Sequence, residues 1–175
     1  MNLRNSIGSL TGFLLLVGTM SAADADADQE AAIAAIQKVK GTVTGNPPDT
    51  VTLTGRKNAN AGMLYVDKIP NLTGIYASNT DVADDGLAKV RGLSKLTYLH
   101  LKKTKITDKG MENLKGLTKL QNIDLSETEI GDEGIAYLKG MPELSVLNLK
   151  GTKVTDAGVA ALRKTLPKIL EIRRE

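Results

Sequence analysis

The chain of 175 residues contains no cysteine, which excludes disulfide bonds, thiolate metal sites and cysteine nucleophiles. It also lacks an apolar run of about 20 residues, the length that a membrane-spanning helix needs. Neither sign of charge is in large excess, since the chain has 23 basic and 20 acidic residues. The basic residues are not concentrated on one face of the predicted fold, so we expect no nucleic-acid partner. Without crosslinks or metal, stability must come from stacked apolar side chains, which make up 41% of the residues.

The first 23 residues have the layout of a secretory signal peptide. Arg4 supplies a positive charge, an apolar stretch runs from residue 10 to residue 17, and small residues follow it. Three alanines are suitable cleavage positions: Ala23, Ala25 and Ala27. We therefore expect export to the periplasm, the cell envelope or the exterior, with no membrane span after cleavage; an uncleaved anchor is the alternative.

A repeat of 24 residues dominates the rest of the chain. Clear units begin at Leu72, Leu96, Leu120 and Leu144. The second of them reads LTYLHLKKTKITDKGMENLKGLTK. A weaker unit begins at residue 48 and a truncated last strand at Ile169, so the predicted repeat domain covers residues 48–175. A fixed period of this length predicts a solenoid, in which each unit buries its apolar face only against its neighbours.

Residues 24–47 are predicted to close the N-terminal end of this solenoid. An acidic start leads into a helix from about residue 28 to residue 40, with Ile33 and Ile36 on its apolar side and Gly41 as its stop. Val43 and Val51 lie in two short β runs around a turn at residues 45–49, which predicts a hairpin. A solenoid needs such an atypical end unit because its first core layer would otherwise face water.

Each unit predicts one strand followed by one short helix. In the unit that begins at Leu96, apolar side chains alternate at Leu99 and Leu101, which is the pattern of a half-buried strand. Apolar residues then recur at a spacing of three, as at Met111 and Leu114, which favours a helix. Exposed charges alternate in sign from unit to unit, which predicts weak ion pairs between units instead of a basic docking patch.

Two polar columns recur in every clear unit. Threonines just after the strand are predicted to satisfy backbone groups beneath the turn; they are Thr80, Thr104, Thr128 and Thr152. Aspartates before the helix are predicted to cap it by accepting from unpaired N–H groups; they are Asp84, Asp108, Asp132 and Asp156. Calcium binding by the aspartates is the alternative, but a unit supplies too few oxygen ligands for it, so we expect neither metal nor cofactor.

The repeat pattern LxxLxLxxTxITDxGLxxLxxLxx resembles the leucine-rich repeat, strongly over residues 72–168 and weakly over residues 48–71. Its ITDxG segment resembles the ribonuclease-inhibitor-like and cysteine-containing subtypes, in a form common in exported bacterial proteins. The resemblance implies an α/β solenoid with a parallel β-sheet on the concave face and helices on the convex face. It also implies that a macromolecule binds on the sheet.

The polar side of the predicted sheet is the candidate binding surface. Tyr76 and Tyr98 are predicted to meet diagonally on it, and tyrosine is enriched where interfaces concentrate their energy. The only histidine, His100, is predicted to contact Asp124 on the next strand. The predicted partner-binding residues are Tyr76, Tyr98, His100, Lys102, Asp124 and Asn148. We therefore expect non-enzymatic binding of a protein or another envelope macromolecule.

Two other functions stay open on the sequence. The first is a structural role in the cell envelope, with weak self-association through the C-terminal end of the solenoid, although the charges from Arg173 onward would discourage strand pairing at that edge. The second is hydrolysis by His100, Asp124 and Ser126. An open, wet sheet offers no preorganised donors for developing charge, which argues against hydrolysis.

Overall fold

The computed structural model describes residues 22–174, and most of the predicted signal peptide lies outside this range. The described residues form one seven-stranded sheet whose strands follow chain order. The strands are β1 (Thr42–Thr44), β2 (Thr50–Thr52), β3 (Gly74–Tyr76), β4 (Tyr98–His100), β5 (Asn122–Asp124), β6 (Val146–Asn148) and β7 (Glu171–Arg173). Strands β1 and β2 form the predicted antiparallel hairpin, and every later neighbour pairs in parallel.

Short helices connect the strands on the other side of the core. They are α1 (Ala22–Lys38), α2 (Ala59–Met63), α3 (Asp84–Leu87), α4 (Asp108–Met111), α5 (Asp132–Ile135) and α6 (Asp156–Arg163). Single 3₁₀ turns extend four of these segments, at Val66–Lys68, Ala88–Val90, Glu112–Leu114 and Ala136–Leu138. Within residues 22–174, no helix combines the length and apolar character that crossing a membrane requires.

The apolar side chains of successive units stack into one continuous core, as the period predicts. Strand residues 24 positions apart face each other in register from β2 to β6. Their inward side chains have no exposed area: Val51, Ile75, Leu99, Ile123 and Leu147. Burying an aliphatic side chain of this size contributes about 1.5–3 kcal/mol, so this column is a major source of stability. The predicted α/β solenoid is confirmed.

The helix that closes the N-terminal end is longer than the sequence pattern predicts. It begins at Ala22 instead of about residue 28, so the acidic start is helical. Ala32 and Ile36 are buried against the repeats. Lys40, with φ 60°, takes the left-handed conformation that ends the helix, and the N–H of Gly41 donates to the Ile36 carbonyl at 3.0 Å.

The threonine column satisfies backbone carbonyls, but within each unit. Each hydroxyl donates to the carbonyl three residues earlier at 2.6–2.7 Å, so the bonds do not run from unit to unit. Thr104 and Thr128, in the middle of the array, are buried. The column therefore closes the turn after each strand.

The aspartates do not cap the helix of their own unit, so that prediction is wrong. Each is the first helical residue, and the N-cap residue precedes it, as Thr107 precedes Asp108 in α4. The aspartate carboxylate reaches the next unit instead. Asp84 accepts from the Thr107 N–H at 2.9 Å and from the Thr107 hydroxyl at 2.7 Å, and Asp132 accepts the same two bonds from Thr155 at 2.8 and 2.6 Å.

A glycine two residues after each aspartate makes room for this bond between units. A Cβ added to Gly110 would lie 2.3 Å from Oδ1 of Asp84, and one added to Gly134 would lie 2.3 Å from Oδ1 of Asp108. The carboxylate of one unit therefore occupies the space that a side chain would fill in the next. Among the described residues, no group of three or more His, Asp and Glu side chains is placed to hold a metal ion.

The bond between α5 and the last unit predicts a pH dependence of stability. The Thr155 hydroxyl and then its N–H donate to Asp132, and these bonds lower the pKa of Asp132 from its ordinary value. Because the folded pKa lies below the unfolded one, the stabilisation is present above the unfolded pKa and is lost as pH falls through the folded pKa. Asp132→Asn, which matches Asn60 in the first unit, should lose less stability than the wild type between pH 5 and pH 3. Urea unfolding at both pH values measures this, and equal losses in the two proteins would contradict it.

Exposed ion pairs join neighbouring units, at Lys89–Asp67, Lys102–Glu127, Lys153–Glu129 and Lys168–Glu143. Lys153 contacts Glu129 in the preceding unit, as predicted. Asp81 instead accepts from the backbone N–H of Asn60 at 3.1 Å. These ion pairs are open to solvent and contribute little each, so units are aligned chiefly by the core and by the aspartate bonds.

Candidate binding face

The exposed side of the sheet carries two rows of side chains, which we call the sheet face. One row contains Thr50, Gly74, Tyr98, Asn122, Val146 and Glu171; the other contains Thr52, Tyr76, His100, Asp124, Asn148 and Arg173. Both rows are in register across neighbouring strands, as the alternation predicts. The sheet face is polar apart from Val146 and its two tyrosines.

The tyrosines of the sheet face differ in environment. Tyr76 is half-buried and packs edge-on against His100, with ring centroids 4.9 Å apart and planes at 72°. Its ring also lies over Gly74, where an added Cβ would come within 3.0 Å of Tyr76 Cε2. Tyr98 is 42% exposed. The predicted Tyr76–Tyr98 pairing is therefore replaced by a Tyr76–His100 contact, because the absence of a side chain at Gly74 lets the Tyr76 ring lie along its own strand.

One nitrogen of His100 is buried without a hydrogen-bond partner. Within the described part of the chain, Nε2 of His100 is the only such side-chain polar atom. Leaving a buried polar group unpaired costs about 1–3 kcal/mol. Most buried polar groups in native proteins are paired, so this nitrogen is an exception.

Asp124 stands directly opposite His100 on the neighbouring strand, but no hydrogen bond or ion pair joins these two described residues. Oδ1 of Asp124 accepts from the Ser126 hydroxyl at 2.6 Å and from the Ser126 N–H at 3.0 Å. Asn148 makes a similar bond in the next unit, where its Oδ1 accepts from the Lys150 N–H at 3.2 Å. Short polar side chains readily bond to the backbone two residues on, and this local turn competes with a contact across strands.

The same geometry fails to assemble a nucleophile–base–acid set. Ser126 is 2% exposed and donates its hydroxyl proton to Asp124, not to His100. A serine nucleophile needs its hydroxyl beside the base and open to substrate. The hydrolase alternative therefore has no support in the arrangement of these residues.

Lys102 extends the sheet face toward the loops that follow the strands. Its Nζ lies 3.1 Å from Oε1 of Glu127, and both side chains remain almost half exposed. An ion pair so open to water contributes little to stability, so both groups remain available to a partner.

The sequence analysis missed a basic cluster on the neighbouring loops, which we call the basic loop edge. It lines two adjoining surface depressions. Its cations are Lys38, Lys40, Arg56, Lys57 and Lys103. Within residues 22–174, none of the five forms an ion pair. The cations come from the end of α1 and from the loops after β2 and β4, so only the stacking of the units brings them together.

Comparison with known proteins supports the fold. A sequence model described as "Leucine Rich repeat" matches residues 92–115, 116–139 and 142–162. Internalin C2 of Listeria monocytogenes shares 22% identity and a TM-score of 0.53, over 64% of this chain and 46% of that one. An internalin of the same species, InlF, shares 20% identity and a TM-score of 0.42, over 63% of this chain and 36% of that one. The chain thus spans less than half of either structure. A search of curated proteins finds no match.

Proposed function

We propose, on the premise that the chain is a leucine-rich-repeat protein, that it is an exported, non-enzymatic module whose sheet face binds another protein. One observation carries the proposal: an exposed tyrosine stands beside a half-buried Tyr76–His100 pair on an otherwise polar sheet. Membership of a repeat family supports the proposal only in a general way, because stacked repeats produce extended surfaces suited to contact with macromolecules.

The chemistry of the three aromatic rings suits an anchoring role. Tyrosine presents a large apolar surface with a polar tip, and such residues dominate the energy of many interfaces. The unpaired Nε2 of His100 is buried, and the Tyr76 ring packs edge-on against the same imidazole. A partner that displaces the Tyr76 ring and accepts from or donates to this nitrogen would remove its desolvation cost on binding.

The basic loop edge indicates the charge of the partner. It follows the sheet face along the chain, since Lys103 comes shortly after His100 and Arg56 shortly after Thr52. An acidic segment on the partner would be attracted to these unpaired cations, and this attraction would weaken as salt screens it. The proposed partner is therefore a protein with an acidic segment beside the surface that receives Tyr98.

The proposal predicts that removing the three rings abolishes capture of one specific partner. Immobilised wild type should retain that partner from an envelope extract at low salt, and Tyr76→Ala/Tyr98→Ala/His100→Ala should bind it at least about tenfold more weakly. Binding constants for the purified partner, measured at two salt concentrations, complete the test. Affinity should fall further with added salt if the basic loop edge contributes.

The matched control is Tyr65→Ala/Tyr137→Ala. These tyrosines are 44% and 40% exposed, which is similar to the exposure of Tyr98. They lie on the helical side of the solenoid instead of on the sheet face. This variant should retain the partner with unchanged affinity. Equal capture by the wild type and the sheet-face variant, with both folded by circular dichroism, would refute the proposed surface.

A further inference from the structure

The far edge of the sheet presents unpaired backbone groups at β7. In the described chain this strand pairs only with β6. The Leu149 N–H donates to the Arg173 carbonyl at 2.7 Å, and the Glu171 N–H donates to the Ser145 carbonyl at 3.0 Å. In a parallel ladder alternate residues bond to the same neighbour, so the N–H and carbonyl of Ile172 point away from β6. An edge of this kind is a template for another strand.

An exposed leucine stands beside this edge. Leu170 occupies the position just before the strand, which is polar in every earlier unit: Asp49, Thr73, Thr97, Gln121 and Ser145. Two of the earlier hydroxyls, on Thr73 and Ser145, donate to the backbone carbonyl at the equivalent position of the preceding unit. Leu170 cannot make such a bond, and its side chain is 82% exposed, the highest value among the large apolar side chains in the described range. An apolar side chain at this position is unfavourable in water and favours a covered surface.

The side chains of β7 match a second copy of the same strand. The strand reads Glu171-Ile172-Arg173, with both charged residues on the sheet face. If two copies pair antiparallel about Ile172, each Glu171 stands opposite the other copy's Arg173, and the two Ile172 residues exchange their free hydrogen bonds. In register, a parallel pairing would instead place like charges side by side.

The charges that discourage edge pairing in general therefore favour this one register. In the single chain Arg173 already bonds to Glu171 within its own strand, at 2.6 and 2.8 Å, so two copies can exchange their two internal pairs for two pairs between copies. Arg174 adds no further positive charge at the edge. Its guanidinium turns back to the Val154 carbonyl and to Asp156, at 3.1 and 2.9 Å.

We propose that the protein forms a weak symmetric dimer in which β7 of one copy pairs antiparallel with β7 of another. The contact uses Glu171 and Arg173 at the β7 end of the sheet face, so it involves neither the three aromatic side chains nor the cations of the basic loop edge. It joins two sheet faces into one continuous surface. Two linked faces would bind a repetitive or clustered partner more tightly than either face alone.

Charge-reversal variants test the register directly. Sedimentation equilibrium of the wild type from about 5 to 500 μM should show a reversible monomer–dimer equilibrium. Glu171→Arg alone and Arg173→Glu alone each place like charges opposite in the dimer, and each should weaken self-association at least about tenfold. An equimolar mixture of these two variants should form a heterodimer with near wild-type affinity, because every pair across the contact is then opposite in sign.

The double variant Glu171→Arg/Arg173→Glu should also dimerise like the wild type, and Leu170→Asp should weaken the dimer. Circular dichroism shows whether each variant is folded, and the mixture keeps the test valid even if a single charge change lowers stability slightly. A wild type that stays monomeric to 500 μM would overturn the proposal. Self-association that is insensitive to the charge reversals, or failure of the mixture to associate, would overturn it as well.

Discussion

Gly110→Ala should lower the free energy of unfolding by about 2–4 kcal/mol, although it adds a single methyl group. The new Cβ would lie 2.3 Å from Oδ1 of Asp84, far inside contact distance. Asp84 cannot simply turn away, because its carboxylate accepts two bonds from Thr107. Overpacking of this kind costs about 1–3 kcal/mol, and losing a hydrogen bond costs about 0.5–1.5 kcal/mol. Urea unfolding measures the sum.

A double-mutant cycle separates the steric cause from a general intolerance of alanine. Asp84→Ala alone should destabilise by about 1–3 kcal/mol, because the Thr107 N–H loses its acceptor. Asp84→Ala/Gly110→Ala should be scarcely less stable than Asp84→Ala alone, since no carboxylate then competes for the space. We expect the double variant to be more stable than the sum of the two single effects predicts by about 2–4 kcal/mol, which is nearly the whole cost of Gly110→Ala. Simple additivity would contradict the proposed contact.

Gly131→Ala is the matched control for this cycle. A Cβ at Gly131 would lie 3.4 Å from Oδ2 of Asp108, which is an ordinary contact. The equivalent position holds Ala83, Thr107 and Thr155 in the other units. The N–H of Gly131 would still donate to Asp108 after the change. We expect a change within about 0.5 kcal/mol.

The aspartate bonds also show where sequence reasoning stopped. Within one unit, an aspartate followed by a helix is indistinguishable from a helix cap, and propensity favours that interpretation. The true acceptor–donor pair joins residues 23 positions apart in neighbouring units. The sequence did contain a signal, because Asp84 and Gly86 recur as a pair in every clear unit. Because the glycine recurs together with the aspartate, it indicates that the aspartate of the preceding unit comes close to the glycine backbone. It does not indicate a turn.

Strand register was predictable and side-chain orientation was not. A period of two within each strand and of 24 between strands determines which residues share a face, so both rows of the sheet face could be written from the sequence. The direction of the Asp124 carboxylate depends on its local bonds to Ser126, which the repeat pattern does not distinguish from a bond to His100. The basic loop edge depends on distances between Lys38, Arg56 and Lys103 that only the assembled solenoid determines. Binding surfaces on repeat proteins are therefore harder to predict than the repeats themselves.

The core column should account for the largest single loss of stability in the chain. Leu99→Ala should lower the free energy of unfolding by about 3–5 kcal/mol, because Leu99 has no exposed area and lies between Ile75 and Ile123 in the central strand. A cavity there removes contacts with the units on both sides, and a solenoid has no other core to compensate. Urea unfolding can be followed by circular dichroism and by tyrosine fluorescence, since the chain has no tryptophan. Leu170→Ala, the same substitution at an 82% exposed side chain, should change the stability of the monomer by less than about 0.5 kcal/mol. A loss below about 1 kcal/mol for Leu99→Ala would mean that the units do not share one core.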